Sequence, residues 1–132
     1  MSDTTITALK TTLLSVPWRD GPPAAGIVDP TPRQFVVVEI ATKGGLTGLG
    51  YLHILGDGSA TIAACLDEMI APRILGRDAT EVEGIWQSLW KSTYRVGRAG
   101  VAIFAMSAVD IALWDIVGKR AGLPLHRLWG NA

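Results

Sequence analysis

The chain has one cysteine, Cys65, among its 132 residues. No internal disulfide can form and no cysteine cluster can hold a metal, which fits a reducing compartment. No charge sign is in excess: Lys and Arg total 12, and Asp and Glu total 12. With neither net charge nor a basic run, nothing supplies the attraction that nucleic acid or an anionic membrane requires. The first ten residues lack a basic stretch followed by an apolar one, so no secretory leader is read there and the cytoplasm is the expected location. The two histidines, His53 and His126, have no metal-ligand spacing. A glycine fingerprint between alternating strands and helices is missing too, which argues against a dinucleotide-binding fold.

What is present suffices for one domain. Hydrophobic residues make up 48% of the chain, and a chain of this length buries roughly two-thirds of its unfolded surface. The first third reads as strands over 6–14, 34–42 and 47–54, with β-branched and apolar residues throughout. Lys43-Gly44-Gly45 is turn chemistry, so the second and third strands form a hairpin. A loop over 17–33, rich in Pro and Gly, separates the first two; long loops of this kind are usually functional. Three helices follow. The first, over 59–71, carries Ile62, Leu66, Met69 and Ile70 on one face, with Asp57 or Ser59 placed to cap it. Asp78-Ala79-Thr80-Glu81 has capping-box spacing and opens the second, whose stripe is Val82, Ile85, Trp86 and Leu89. Strands first and helices afterwards predict an α+β fold, a three-stranded antiparallel sheet followed by a helical layer.

The third helix, from about 98 to 121, ends at Gly122 with Pro124 beyond. Val101, Phe104, Val109, Ile111, Leu113, Trp114 and Ile116 spread around its whole circumference. A helix apolar on every side needs neighbours on every side, and a small sheet with two helices cannot provide them. Part of this surface therefore faces something outside the chain. Asp110 and Asp115 interrupt the apolar run, and a central Asp costs about 2.5–3.5 kcal/mol on membrane insertion scales. A helix buried among protein layers is expected, not a membrane span.

The segment Ala105-Met106-Ser107-Ala108-Val109-Asp110-Ile111-Ala112-Leu113-Trp114-Asp115-Ile116-Val117-Gly118-Lys119, with Gly122-Leu123-Pro124-Leu125 and Leu128-Trp129-Gly130 after it, resembles a signature of the mandelate racemase/muconate lactonizing enzyme family of the enolase superfamily. Gly48-Leu49-Gly50-Tyr51 and the run Pro72, Leu75, Gly76, Asp78 agree in order. The resemblance spans essentially the whole chain and corresponds to about the first third of such an enzyme. It implies an amino-terminal capping domain over 1–132, with the carboxy-terminal (β/α) barrel absent. In the family, that barrel carries the bases and the ligands of an essential magnesium, and the enzyme abstracts the α-proton of a carboxylate substrate. Acid-sugar dehydration is favoured here, ahead of racemisation or cycloisomerisation. No catalytic residue and no metal ligand has a matching position, so the chain alone is expected to be inert. The implied partners are the barrel, a small carboxylate substrate and further copies in a homo-oligomer. The contrasting reading is a non-catalytic interaction or oligomerisation module.

The resemblance assigns two loops to the rim of the substrate pocket, the 17–33 segment and the one around 51–56. Arg19 and Asp20 lie in the first, where a guanidinium can hold a carboxylate or hydroxyls in bidentate fashion; their plain alternative is a solvated ion pair. Tyr51 and His53 share one strand face with Leu49 by the period of two. Both are candidate hydrogen-bonding groups for a polar substrate, against a structural Tyr and an exposed His. Asp115 and Lys119 have ion-pair spacing on a helix. Asp110 is expected to satisfy backbone or meet a cation. Trp86, Trp90 and Cys65 read as core, and Arg95 and Arg98 as solvent-exposed.

Overall fold

The structure, a computed structural model, describes residues 3–17, 32–54 and 56–130. Three strands, β1 (Ile6–Val16), β2 (Arg33–Thr42) and β3 (Thr47–Ile54), form an antiparallel sheet in the order β1-β2-β3. On the inner face Val36, Val38, Ile40 and Thr42 of β2 are buried, while Phe35, Val37, Glu39 and Ala41 alternate with them on the outer face. This is the period of two expected of a strand with one covered face. Between β2 and β3, Gly45 adopts φ 85° and donates its N–H to the Thr42 carbonyl at 3.0 Å. The expected hairpin is therefore formed. Arg33, read as loop from the sequence, opens β2 opposite Val16.

The helical layer covers the inner face. Helix α1 (Ser59–Cys65) runs through a π-helical stretch (Leu66–Ile70) into α2 (Ala71–Ile74) as one rod. Pro72 has no N–H to give the carbonyl four residues back, and the widened turn just before it bonds the Ala71 N–H to the Leu66 carbonyl. Ile62, Leu66, Ile70 and Ile74 are buried along this rod. Helix α3 (Val82–Ser92) buries Val82, Ile85 and Leu89.

Neither expected side-chain cap is formed. The residue before α1 is Gly58 at φ 114°, and α3 follows Glu81 without a side-chain bond. Asp78 is engaged elsewhere. One of its carboxylate oxygens accepts the Thr80 N–H at 2.9 Å and the hydroxyls of Thr80 and Thr4 at 2.8 and 2.7 Å. These bonds, the Thr4 hydroxyl foremost, hold its pKa below the ordinary carboxylate value.

Helix α4 (Val101–Ala121) begins three residues later than the apolar pattern alone suggests, because Gly97 and Gly100 take φ of 100° and 59° before it. At its far end Gly122 adopts φ 65° and the Leu123 N–H closes onto the Gly118 carbonyl at 3.1 Å, a glycine-terminated helix end. Its inner arc is Ala105, Met106, Ala108, Val109, Ala112, Leu113 and Ile116, all buried. The arc lies against β3 at very short range. A Cβ on Gly48 or Gly50 would overlap the backbone carbonyl of Ala112 or Ala108. The Gly-Leu-Gly sequence is thus what lets backbone meet backbone at this crossing.

Candidate functional site

The strand register fixes where the loops lie. Val16 pairs with Arg33 and Gln34 with Ile54, so the 17–32 connection and the one after β3 leave the same end of the sheet. At that end the Ser59 hydroxyl donates to the Gln34 side-chain oxygen at 2.5 Å, tying the start of α1 to β2. Arg19 and Asp20 fall outside the described residues.

Tyr51 and His53 stand where the strand period puts them, exposed on the outer face near the loop end, with Tyr51 56% exposed. Between them is a residue that the sequence argument missed. Phe35, directly opposite His53 in the register, has its ring centroid 5.1 Å from the imidazole and 6.4 Å from the Tyr51 ring. Its signal was available in the β2–β3 hairpin, since cross-strand pairing places 35 beside 53. The three rings form an amphipathic shelf whose phenol and imidazole keep their polar atoms free of hydrogen-bond partners among the described residues. Such a shelf can bind a polyhydroxylated ligand through apolar contact and a few directed hydrogen bonds. The outer-face carboxylate nearest in register, Glu39, faces Lys10 at 3.3 Å, and among the described residues no carboxylate orients the imidazole.

Other candidates sort by their contacts. Asp115 and Lys119 form the expected pair at 2.6 Å, and they also reach across to β3. The Leu49 N–H donates to Asp115 at 2.8 Å and the Lys119 ammonium to the Thr47 carbonyl at 2.7 Å. The surface hollow beside them, lined by Gly118, Leu123, Pro124 and Leu125, thus has its polar groups already engaged. Arg95 and Arg98 are exposed, as read, and their guanidinium groups lie over the Tyr94 and Trp90 rings at 5.5 and 5.0 Å. Trp86 and Trp90 pack on the core, as read, and Cys65 is buried, which raises its thiol pKa.

Asp110 departs from expectation. It neither caps backbone nor meets a cation among the described residues, and burial, followed by the charge of Glu83, pushes its pKa above the ordinary carboxylate value. Its surroundings explain this. On α4 the positions Ile103, Ser107, Asp110, Trp114 and Val117 are only half-covered, and Phe104 and Ile111 are 48% and 41% exposed. The side of α4 away from the sheet therefore stays open, as its all-round apolarity predicted. Trp129 lies edge-on to Trp114 at 5.4 Å and covers one end. By length and composition α4 qualifies as a membrane span, but its inner arc belongs to the sheet core.

No group of three or more His, Cys, Asp or Glu able to hold a metal occurs among the described residues. The described residues therefore offer no ligand set for a magnesium ion.

The comparisons bear on what these surfaces belong to. A family model described as the N-terminal domain of mandelate racemase/muconate lactonizing enzyme matches residues 8–130. A 3,6-anhydro-α-L-galactonate cycloisomerase of Streptomyces coelicolor is 44% identical over 98 residues, which is 74% of this chain and 27% of that protein. A D-mannonate dehydratase of Xanthomonas oryzae pv. oryzicola is 44% identical over 99 residues, 75% of this chain and 23% of its own. Among solved structures, a racemase from Streptomyces coelicolor with bound magnesium superposes with a TM-score of 0.88 at 38% identity, covering 95% of this chain and 35% of that one. The L-talarate/galactarate dehydratase of Salmonella typhimurium gives 0.84 at 34% identity over 95% and 33%. This chain thus spans about a quarter of the length of these curated relatives, which are acid-sugar dehydratases and cycloisomerases. By the family model and by its three-stranded sheet with helices behind, the chain belongs to the mandelate racemase/muconate lactonizing enzyme family of the enolase superfamily, as an N-terminal domain.

Proposed function

We propose that the chain is the substrate-capping domain of a magnesium-dependent, cytoplasmic enzyme that removes the α-proton of a sugar-acid carboxylate, with dehydration as the reaction. The observation that carries this reading is the arrangement at one end of the sheet. Two connections emerge there together, beside the Phe35–Tyr51–His53 shelf. A cap needs loops on one side and polar tips on a rigid platform, so that closure excludes water and orients the substrate. Support for the substrate class comes from the relatives, a D-mannonate dehydratase and an L-talarate/galactarate dehydratase among them. Support for magnesium comes from the relative that binds it; the metal and the proton-abstracting base are assigned to a barrel domain beyond this chain. Here Tyr51 and His53 position substrate hydroxyls, Phe35 shields them, and Arg19 with Asp20 adds polar contacts to the substrate.

The test is a chimera. The chain replaces the corresponding first quarter of the Xanthomonas D-mannonate dehydratase, and deuterium incorporation at the α-carbon of D-mannonate is followed in D2O with magnesium. The expected result is exchange by the chimera and none by the chain alone. Exchange by the chain alone overturns the placement of the chemistry, and a folded chimera inert towards every sugar acid tried overturns the capping role. In the active chimera Tyr51→Phe raises KM several-fold at nearly unchanged kcat, the signature of lost uniform binding.

A further inference from the structure

The ion pair on α4 differs from Lys10–Glu39 in what else it holds. Lys10 and Glu39 meet at 3.3 Å as two exposed side chains on neighbouring strands, and a pair of that kind contributes little. Asp115 and Lys119 meet at 2.6 Å, and each also takes a backbone group of β3. The Asp115 oxygen that accepts the ammonium also accepts the Leu49 N–H at 2.8 Å, and the ammonium donates to the Thr47 carbonyl at 2.7 Å. These bonds close a ring between one turn of helix and the opening residues of the strand. Gly48, between the two held residues, lies against the Ala112 carbonyl, and Gly50 against that of Ala108, with no room for a Cβ at either. Backbone contact sets the height of β3 over the helix, and the ion pair sets its position along it.

Tyr51 stands two residues beyond Leu49 on the same face of β3, and His53 two beyond that. A strand rises about 3.3 Å per residue, so Tyr51 is about 7 Å from the held amide. Only β2 pairs with β3 in the sheet, and the bonds from α4 meet its other flank just before the shelf. We propose that Asp115 and Lys119 are positioning residues for the Phe35–Tyr51–His53 shelf, clamping the base of β3 to α4 so that phenol and imidazole are presented in one place. The proposal rests on the capping role. The clamp touches none of the three rings and acts through the strand. Without it β3 is free to shift or fray, Tyr51 and His53 spread over several placements, and substrate binding must supply the ordering that the clamp now provides. Helix α4 ends at Gly122 and leads into the segment that carries Leu125–Leu128, so the clamp also fixes the shelf relative to the place where the chain leaves the helix.

The test has two arms. In the 132-residue chain, D115A and K119M are compared with Asp78→Ala, which removes the bonds to Thr4 and Thr80 and leaves β3 untouched. Far-UV circular dichroism verifies folding, and K119M carries the comparison if D115A unfolds. Amide exchange over 49–54 is expected to quicken about threefold or more in D115A and K119M relative to exchange in β1. The ring-current shifts that Phe35 imposes on Tyr51 and His53 shrink in the same two variants, and Asp78→Ala shows neither change. Asp115→Asn keeps an oxygen for the Leu49 N–H and recovers most of the protection. In the active chimera, D115A raises KM for D-mannonate about threefold or more at nearly unchanged kcat, and Asp78→Ala leaves KM as it was. Exchange and ring shifts that stay unchanged in D115A and K119M, or move equally in Asp78→Ala, would overturn the proposal, as would an unchanged KM in the active chimera. An inert unsubstituted chimera counts against the capping role instead, and the first arm still decides whether the pair positions the strand.

Discussion

The two sides of α4 are equally apolar in composition and opposite in construction. The inner arc is built of small residues, Ala105, Ala108 and Ala112, interleaved with Met106, Val109, Leu113 and Ile116. It meets β3 where that strand has glycine. The outer arc carries bulk: Phe104 and Ile111 stay exposed, while Trp114 is half-covered and meets Trp129. Small residues mark where backbones approach, and exposed bulk marks where another surface belongs. Counting apolar positions alone cannot tell the two apart; side-chain size can.

The contrast breaks most sharply at the glycines. Gly50→Ala forces a Cβ into the Ala108 carbonyl, and because backbone rather than a flexible side chain must yield, we expect a loss of about 3 kcal/mol or more in urea unfolding. Leu113→Ala on the inner arc is expected to cost about 3 kcal/mol, whereas Phe104→Ala on the outer arc costs less than about 1 kcal/mol. Equal costs would erase the distinction between the arcs. Asp115→Ala removes the acceptor of the Leu49 N–H and the partner of Lys119. Both groups are partly solvated, and a cost of about 1 kcal/mol is expected.

The smallest effect carries a sign. Burial, and then Glu83, raise Asp110 above its ordinary pKa of 3.8. A raised folded pKa means that the associated stability is fully present below the unfolded value and is lost as pH rises through the folded one. In dilute protein, Asp110→Asn is therefore expected to stabilise at pH 7, with the gain fading as pH falls towards 3.8. A loss of stability at pH 7 would mean that a cation reaches the carboxylate within the single chain.

Much of the fold was legible because it depends on local pattern. The β-branched run of β2, the Lys43-Gly44-Gly45 turn and the stripe of α3 each declare themselves within a few residues. What escaped depends on distant partners. Asp78 has ideal capping-box spacing, yet Thr4 at the other end of the domain competes for its carboxylate and Thr80 folds back onto it. Gly48 and Gly50 lie within the expected third strand, but the reason for glycine there comes from α4, some sixty residues later, laid against them. On the site, the shared face of Tyr51 and His53 followed from strand period alone. Phe35 required the hairpin register, and Asp110 was expected to satisfy backbone or meet a cation because the sequence does not reveal which side of α4 would be left open.

The Asp115–Lys119 bridge to β3 has one more consequence. With the Leu49 amide and the Thr47 carbonyl both taken by α4 side chains, a foreign strand seeking to extend the sheet beyond β3 must first unseat an ion pair. The Thr47–Leu49 end of that edge is thereby guarded against strand addition by two side chains on a neighbouring helix.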